Sequence, residues 1–180
     1  MDTVCPAITP HPRLAEFHRK LGLGHPARSV WITRERPKID RIACPWMVRR
    51  FIDPGAEFLY APVQEVLRIA RERGAIAYDI PGGAISHEGD LCSFDVLMRE
   101  FGLRDPALDA LAVIVRGADT DRHGLAPQCA GLLAVSLGLG KLFADDGELL
   151  EHGMTVYDAL YAWCREGRGE THTWNPGATA

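Results

Sequence analysis

The sequence predicts an α/β to α+β fold, with a small mixed, partly parallel sheet in the N-terminal half covered by helices and a helical C-terminal half. Strand-like segments at Val30–Thr33, Leu59–Tyr60 and Ala75–Ile80 alternate with helical stretches. A Pro81-Gly82-Gly83 turn then leads into a short fourth strand, Ala84–His87. Beyond His87 no alternating β pattern returns, and helical periodicity takes over.

The first strand is marked by the β-branched and aromatic run Val30-Trp31-Ile32-Thr33. Helical spacing predicts Leu14–Leu21, a stretch after the first strand, and Val63–Arg73, where Val66, Leu67 and Ala70 share a face before Gly74. The second half reads as helices over Leu91–Phe101, Pro106–Arg116, Ala130–Phe143 and Val156–Glu166. Residues 1–29, with a proline-bounded lead and Gly24-His25-Pro26, read as an N-terminal extension, 30–166 as one domain and 167–180 as an irregular tail.

Size and charge exclude several classes. A chain of 180 residues, 47% hydrophobic, buries roughly 70% of its unfolded surface and needs no disulfide to fold. Its longest unbroken apolar stretch, Ala110–Val115, is far below the roughly 20 residues of a membrane span, so no membrane association is expected. The first residues lack a basic and apolar leader, which points to the cytoplasm. Five cysteines without a CxxC pair suit reduced thiols: Cys129 and Cys164 read as buried and structural, and Cys5 as isolated. A net charge of −4 gives no field for a phosphate backbone, and autonomous DNA binding is not expected.

Three segments carry candidate chemistry. In Ile39–Phe51, Pro45 disfavours helical geometry at Cys44, so the regular helix is expected to start there, with Cys44 at its N-terminus near Arg41. Such a thiol has a depressed pKa, and the arginines with free amides hold an oxyanion. The same residues equally describe a core cysteine, a solvated arginine face and Asp40 as a cap. In Ser86–Asp95, Asp90 reads as a helix cap, Leu91, Phe94, Leu97, Met98 and Phe101 as a buried stripe, and His87, Glu88 and Asp95 as metal-ligand candidates. In Arg116–His123, read as a loop, Asp119, Asp121 and His123 complete the set, a chemistry suited to zinc, manganese or iron. Polar helix ends account for either segment alone, since no strict spacing such as HExxH is present. Gly82-Gly83 lacks a phosphate-loop pattern, and no GxSxG occurs.

Taken in order, Trp31-Ile32-Thr33-Arg34 with Asp40-Arg41 and Arg50-Phe51-Ile52-Asp53-Pro54, His87-Glu88-Gly89-Asp90 with Cys92-Ser93-Phe94, and Ile114-Val115 with Asp119 resemble the chromate-resistance family. The form resembled is the C-terminal domain of its chromate-responsive regulators. The resemblance implies a cytoplasmic role in chromate resistance, commonly behind an N-terminal DNA-binding domain that controls an efflux operon. Only about 29 residues precede the matching region, so a stand-alone domain is the expectation. Arg116 and Gly117 depart from the family pattern, where a histidine and an acidic residue are expected in many relatives.

With the local basic cluster, the resemblance implies chromate or a similar oxyanion as ligand, held by Arg34, Arg41 and Arg50, with Cys44 or Cys92 as redox partner. Two alternatives stay open. One is a metalloenzyme holding a divalent transition metal on His87, Asp119 and a carboxylate or His123. The other is a non-catalytic interaction or homo-oligomerisation domain.

Overall fold

The computed structural model describes residues 9–24 and 28–171. Cys5, the start of the proline-bounded lead, His25-Pro26 and the tail beyond residue 171 lie outside the described residues. Three parallel strands form the sheet in the order β2-β1-β3: β1 is Val30–Arg34, β2 Glu57–Ala61 and β3 Ile76–Ala77. Ile32 of β1 stands opposite both Leu59 and Ala77. A central parallel strand is covered on both faces, which is why Trp31, Ile32 and Thr33 are all buried. Successive side chains enter opposite cores: Trp31 joins the main one, and Ile32 packs with Val66 and Ala70 of α3 (Val66–Arg73).

The first helix, α1 (Leu14–Lys20), closes the main core from outside the sheet. Its Phe17 stacks on Trp31 at 6.3 Å and meets Phe101 edge-on at 5.2 Å. The expected fourth strand is reduced to one bridge, Tyr78 to Ile85, because Ala84 turns back to donate to the Ala77 carbonyl. The sheet is therefore wholly parallel, and the helical second half follows as the periodicity predicts.

The helix α2 runs Asp40–Met47 and starts at Asp40 rather than near Cys44. Pro45 lies inside it, leaving the Arg41 carbonyl without its intrahelical donor. The Tyr78 hydroxyl donates to that carbonyl at 3.4 Å. Burial of Ile42, Ala43, Trp46 and Met47 then outweighs the local preference against helix. A π-helical turn, Val48–Ile52, continues it.

Four helices follow: α4 (Ser93–Phe101), α5 (Pro106–Asp119), α6 (Cys129–Leu142) and α7 (Asp146–Ala162), the last ending in a π turn, Trp163–Gly167. The cap of α4 is Cys92 and not Asp90: its N–H donates to Asp95 Oδ2 in a capping box. Helix α5 continues to Asp119, so Arg116–Asp119 is helix and not loop. Helix α7 begins ten residues before the expected Val156, because Asp145 accepts from the Glu148 amide. Gly117 sits where α5 and α6 touch, and an added Cβ would run into Cys129 Sγ.

The entry to α2 is strained and braced. Ile39 has φ 33 and ψ −98, a conformation that costs a β-branched residue about 1–3 kcal/mol. Its N–H donates to Ser136 Oγ of α6 at 3.1 Å, and its carbonyl accepts from the Tyr157 hydroxyl of α7 at 3.0 Å. Two helices distant in sequence thus fix where Asp40 begins. Ser136→Ala leaves the buried Ile39 N–H without an acceptor and is expected to destabilise by about 1–3 kcal/mol in urea denaturation. Tyr157→Phe is expected to cost less, about 1 kcal/mol, because the Ile39 carbonyl keeps the Ala43 amide.

Candidate functional site

Parallel α/β sheets bind ligands beyond the carboxyl ends of their strands, where neighbouring strands lead away to opposite sides. Here that point lies between β1 and β3, because β2 and β3 flank β1 on opposite edges. Arg34 is the last residue of β1, and Asp79 follows β3 with φ 50, a left-handed conformation that aspartate tolerates. Asp40 and Arg41 open α2, His87 follows the Ile85 bridge, and Asp119 closes α5. Together they build a cleft of about 340 Å³ lined by Arg34, Lys38, Ile39, Arg41, Asp79, His87, Ala118, Asp119 and Leu133.

His87 is the centre of this cleft. Its Nε2 lies 3.0 Å from Asp119 Oδ2, 3.4 Å from Asp79 Oδ1 and 3.7 Å from Asp40 Oδ2. Asp40 lies beneath with no exposed surface. Its Oδ2 accepts from the Phe94 amide in the first turn of α4, whereas Oδ1 is buried with no hydrogen-bond partner. The Asp40 amide in turn donates to Asp119 Oδ1 at 3.5 Å. Asp79 is fully engaged: Ser93 Oγ donates to Oδ1 at 2.8 Å, and Arg34 and Arg41 approach Oδ2 at 3.0 and 3.4 Å.

These contacts divide the titrating groups. Burial, then the charges of Asp119 and Asp79, hold the Asp40 carboxyl well above the ordinary aspartate value. Asp119 is raised by burial and by Asp79. Burial also works against ionised Asp79, but His87, Ser93 and the two guanidiniums outweigh it and hold that carboxyl low. The His87 imidazole is pushed up to about 9, first by its hydrogen bond to Asp79 and then, against burial, by the charges of Asp40 and Asp119. The surrounding acidic groups thus favour the charged imidazole.

The remaining candidates stand elsewhere. Glu88 pairs with Arg99 at 2.6 Å. Asp95 takes both prongs of Arg116, each at 2.9 Å, besides capping α4. Asp121 points to solvent, and His123 faces it at 3.7 Å. Asp119 is still helical, so the expected loop is shortened to residues 120–122, and Asp121 and His123 face each other. Arg50 lies ten residues along the helix from Asp40, roughly 15 Å on helical rise. There it forms a fork with Asp158, at 2.8 and 2.7 Å, which Trp46 Nε1 joins at 2.8 Å.

Neither thiol has the environment expected of a redox partner. Cys44 is in the middle of α2 and buried, and burial with the charges of Asp40 and Asp79 pushes its thiol well up. Burial likewise raises Cys92, followed by Asp40 and Asp95. Both are protonated core thiols.

Asp79 lies inside the strand expected over Ala75–Ile80, and Asp40 reads from sequence as a cap, so neither stands out there as a site residue. A carboxylate interrupting the apolar run Ala75-Ile76-Ala77-Tyr78-Asp79-Ile80 is the signal that marks the first. A larger depression of about 740 Å³ between α5, Leu125–Gln128 and Trp163 offers only the scattered polar residues Asp109, Gln128 and Arg168. Size alone does not make it the site.

The fold and cleft define an α/β domain with an imidazole–carboxylate centre and a guanidinium rim at the carboxyl edge of a parallel sheet. The family model described as ChrB, C-terminal domain, matches residues 31–164, and the chain belongs to that family, the chromate-resistance family its ordered segments resemble. Protein ChrB of Cupriavidus metallidurans (strain ATCC 43123 / DSM 2839 / NBRC 102507 / CH34) is 36% identical over 132 residues, which cover 73% of this chain. The match spans 39% of that relative's length. No solved structure matches the chain. Every residue of the cleft lies within the matched region.

The thiol environments give a direct expectation. Treated with a thiol-alkylating reagent at pH 8 and analysed by peptide mass spectrometry, the native protein is expected to leave Cys44 and Cys92 unlabelled over a time that fully labels the urea-unfolded chain. Rapid native labelling of either residue would contradict the burial described.

Proposed function

We propose that this chain serves in chromate resistance by receiving chromate, or an oxyanion of the same shape and charge, in the cleft at the carboxyl edge of its sheet. Family membership supports the physiological context. The observation that carries the reading is that Arg34, Lys38 and Arg41 line one cleft, with a single carboxylate, Asp79, shared between the two guanidiniums. That leaves the rim with more positive charge than Asp79 neutralises.

A tetrahedral dianion suits planar guanidinium donors, which recognise paired oxygens and not only charge. Arg34 keeps Nε without an acceptor, so Asp79 does not exhaust its donors. Lys38 is exposed beside it. The anion enters from solvent at this rim, while Arg50, committed to Asp158, takes no part. The compartment of the reading is the cytoplasm, where buried, unpaired thiols such as Cys44, Cys92, Cys129 and Cys164 are at home. Among the described residues no helix is long and apolar enough to cross a membrane.

Calorimetric titration of chromate and of sulfate tests this, using the protein both metal-free and loaded with zinc and desalted. Binding is expected in at least one state, weakened by roughly tenfold or more in Arg34→Ala and Arg41→Ala, the loss of a charge-assisted contact. Arg50→Ala is expected to bind as the wild type does. No heat with millimolar chromate in either state of a folded wild-type protein would overturn the reading.

A further inference from the structure

We propose that Asp40, His87 and Asp119 form a binding site for one divalent transition-metal ion on the floor of the cleft. The donors come from three separate elements, the first residue of α2, the loop after the Ile85 bridge and the last residue of α5. One ligand atom from each lies within 4.8 Å of the others. Donors bound to one ion at about 2.1 Å stand roughly 3.0 to 3.4 Å apart in octahedral or tetrahedral arrangement. The separations from His87 Nε2, 3.0 Å to Asp119 and 3.7 Å to Asp40, bracket that range. Small side-chain adjustments bring the set onto a metal.

The independent observation is Asp40. Its side chain is wholly buried, and Oδ1 has no hydrogen-bond partner, although buried carboxylates are otherwise satisfied or neutralised. A divalent ion bound by this carboxylate supplies the counter-charge that its buried position lacks.

Asp79 is excluded from the donor set because Ser93, Arg34 and Arg41 already occupy its oxygens. It acts as a brace between the metal floor and the guanidinium rim. One imidazole with two carboxylates is a mixed nitrogen–oxygen set suited to manganese, iron or zinc. An anion that completes the coordination meets Arg34, Lys38 and Arg41 on the open side of the cleft. The metal site stands on its own geometry and does not depend on the oxyanion reading.

The test uses zinc alone, with no oxyanion present, so that its failure and that of the chromate titration are separate outcomes. Chelator-stripped protein is loaded with excess zinc, desalted and analysed for metal, and affinity is measured by competition with a chelating dye. Wild type is expected to retain about one zinc per chain and to melt at higher temperature with zinc than without. His87→Ala and Asp119→Asn are each expected to weaken binding by roughly 100-fold or more and to lose the thermal shift. His123→Ala and Asp121→Asn are expected to behave as wild type. Both site variants are partly exposed substitutions, and circular dichroism confirms their fold before metal is added. Wild type that retains no zinc, or either site variant binding as tightly as wild type, would overturn the proposal.

Discussion

A carboxylate with no exposed surface and one unpartnered oxygen is the constraint around which this molecule is organised. Burying an ionised carboxylate without a partner costs several kcal/mol at least, and burial accordingly pushes the Asp40 carboxyl up. The chain places Asp40 there nonetheless, at the end of a strained Ile39 that α6 and α7 hold by hydrogen bonds to its N–H and carbonyl. Strain braced from two distant helices persists because the surrounding packing over-determines it. The start of α4, the end of α5 and the imidazole of His87 all meet at this carboxylate. Its Oδ2 accepts from the first turn of α4, and its Oδ1 has no hydrogen-bond partner.

From that constraint the cleft acquires two layers. Asp40, Asp119 and His87 make an acidic floor, whereas Arg34, Lys38 and Arg41 make a basic rim, with Asp79 tying one to the other. A bare floor repels an oxyanion held a few ångströms above it, and the rim alone loses part of its charge to Asp79. A divalent ion on the floor changes that balance by supplying positive charge where the anion needs it. The metal and oxyanion readings therefore support each other physically while standing on different residues. The cysteines are outside this arrangement: Cys44 and Cys92 fill the core beneath it and are held protonated by burial.

Much of the architecture was legible because periodicity reports burial. The three strands, the helix-rich second half and the stripe Leu91, Phe94, Leu97, Met98 and Phe101 follow from local patterns that tertiary packing does not overrule. Errors fell where a distant contact decides the local structure. Pro45 argues against helix at Cys44, yet Tyr78 satisfies the stranded Arg41 carbonyl and burial of Trp46 fixes α2 around it. Asp145 with Glu148 carried a usable start signal for α7 that hydrophobic spacing alone did not expose. At the cleft, His87, Asp119, Arg34 and Arg41 were identifiable by type and sequence context. The roles of Asp40 and Asp79 were not, since a cap, a strand residue and a ligand look alike until the chain is folded. Arg50 and Asp95 illustrate the reverse: each has the right chemistry, and each is committed to a partner, Asp158 or Arg116, that no local spacing reveals.

The central claim is that the buried carboxylate is there to meet a cation shared with His87 and Asp119. Crystals of the zinc-loaded protein, with anomalous difference maps recorded on both sides of the zinc absorption edge, examine that directly. The account predicts an edge-dependent peak within about 2.2 Å of His87 Nε2 and of an oxygen from each of Asp40 and Asp119. Zinc located on other residues, with His87 still paired to the carboxylates and Asp40 still unpartnered, would contradict it.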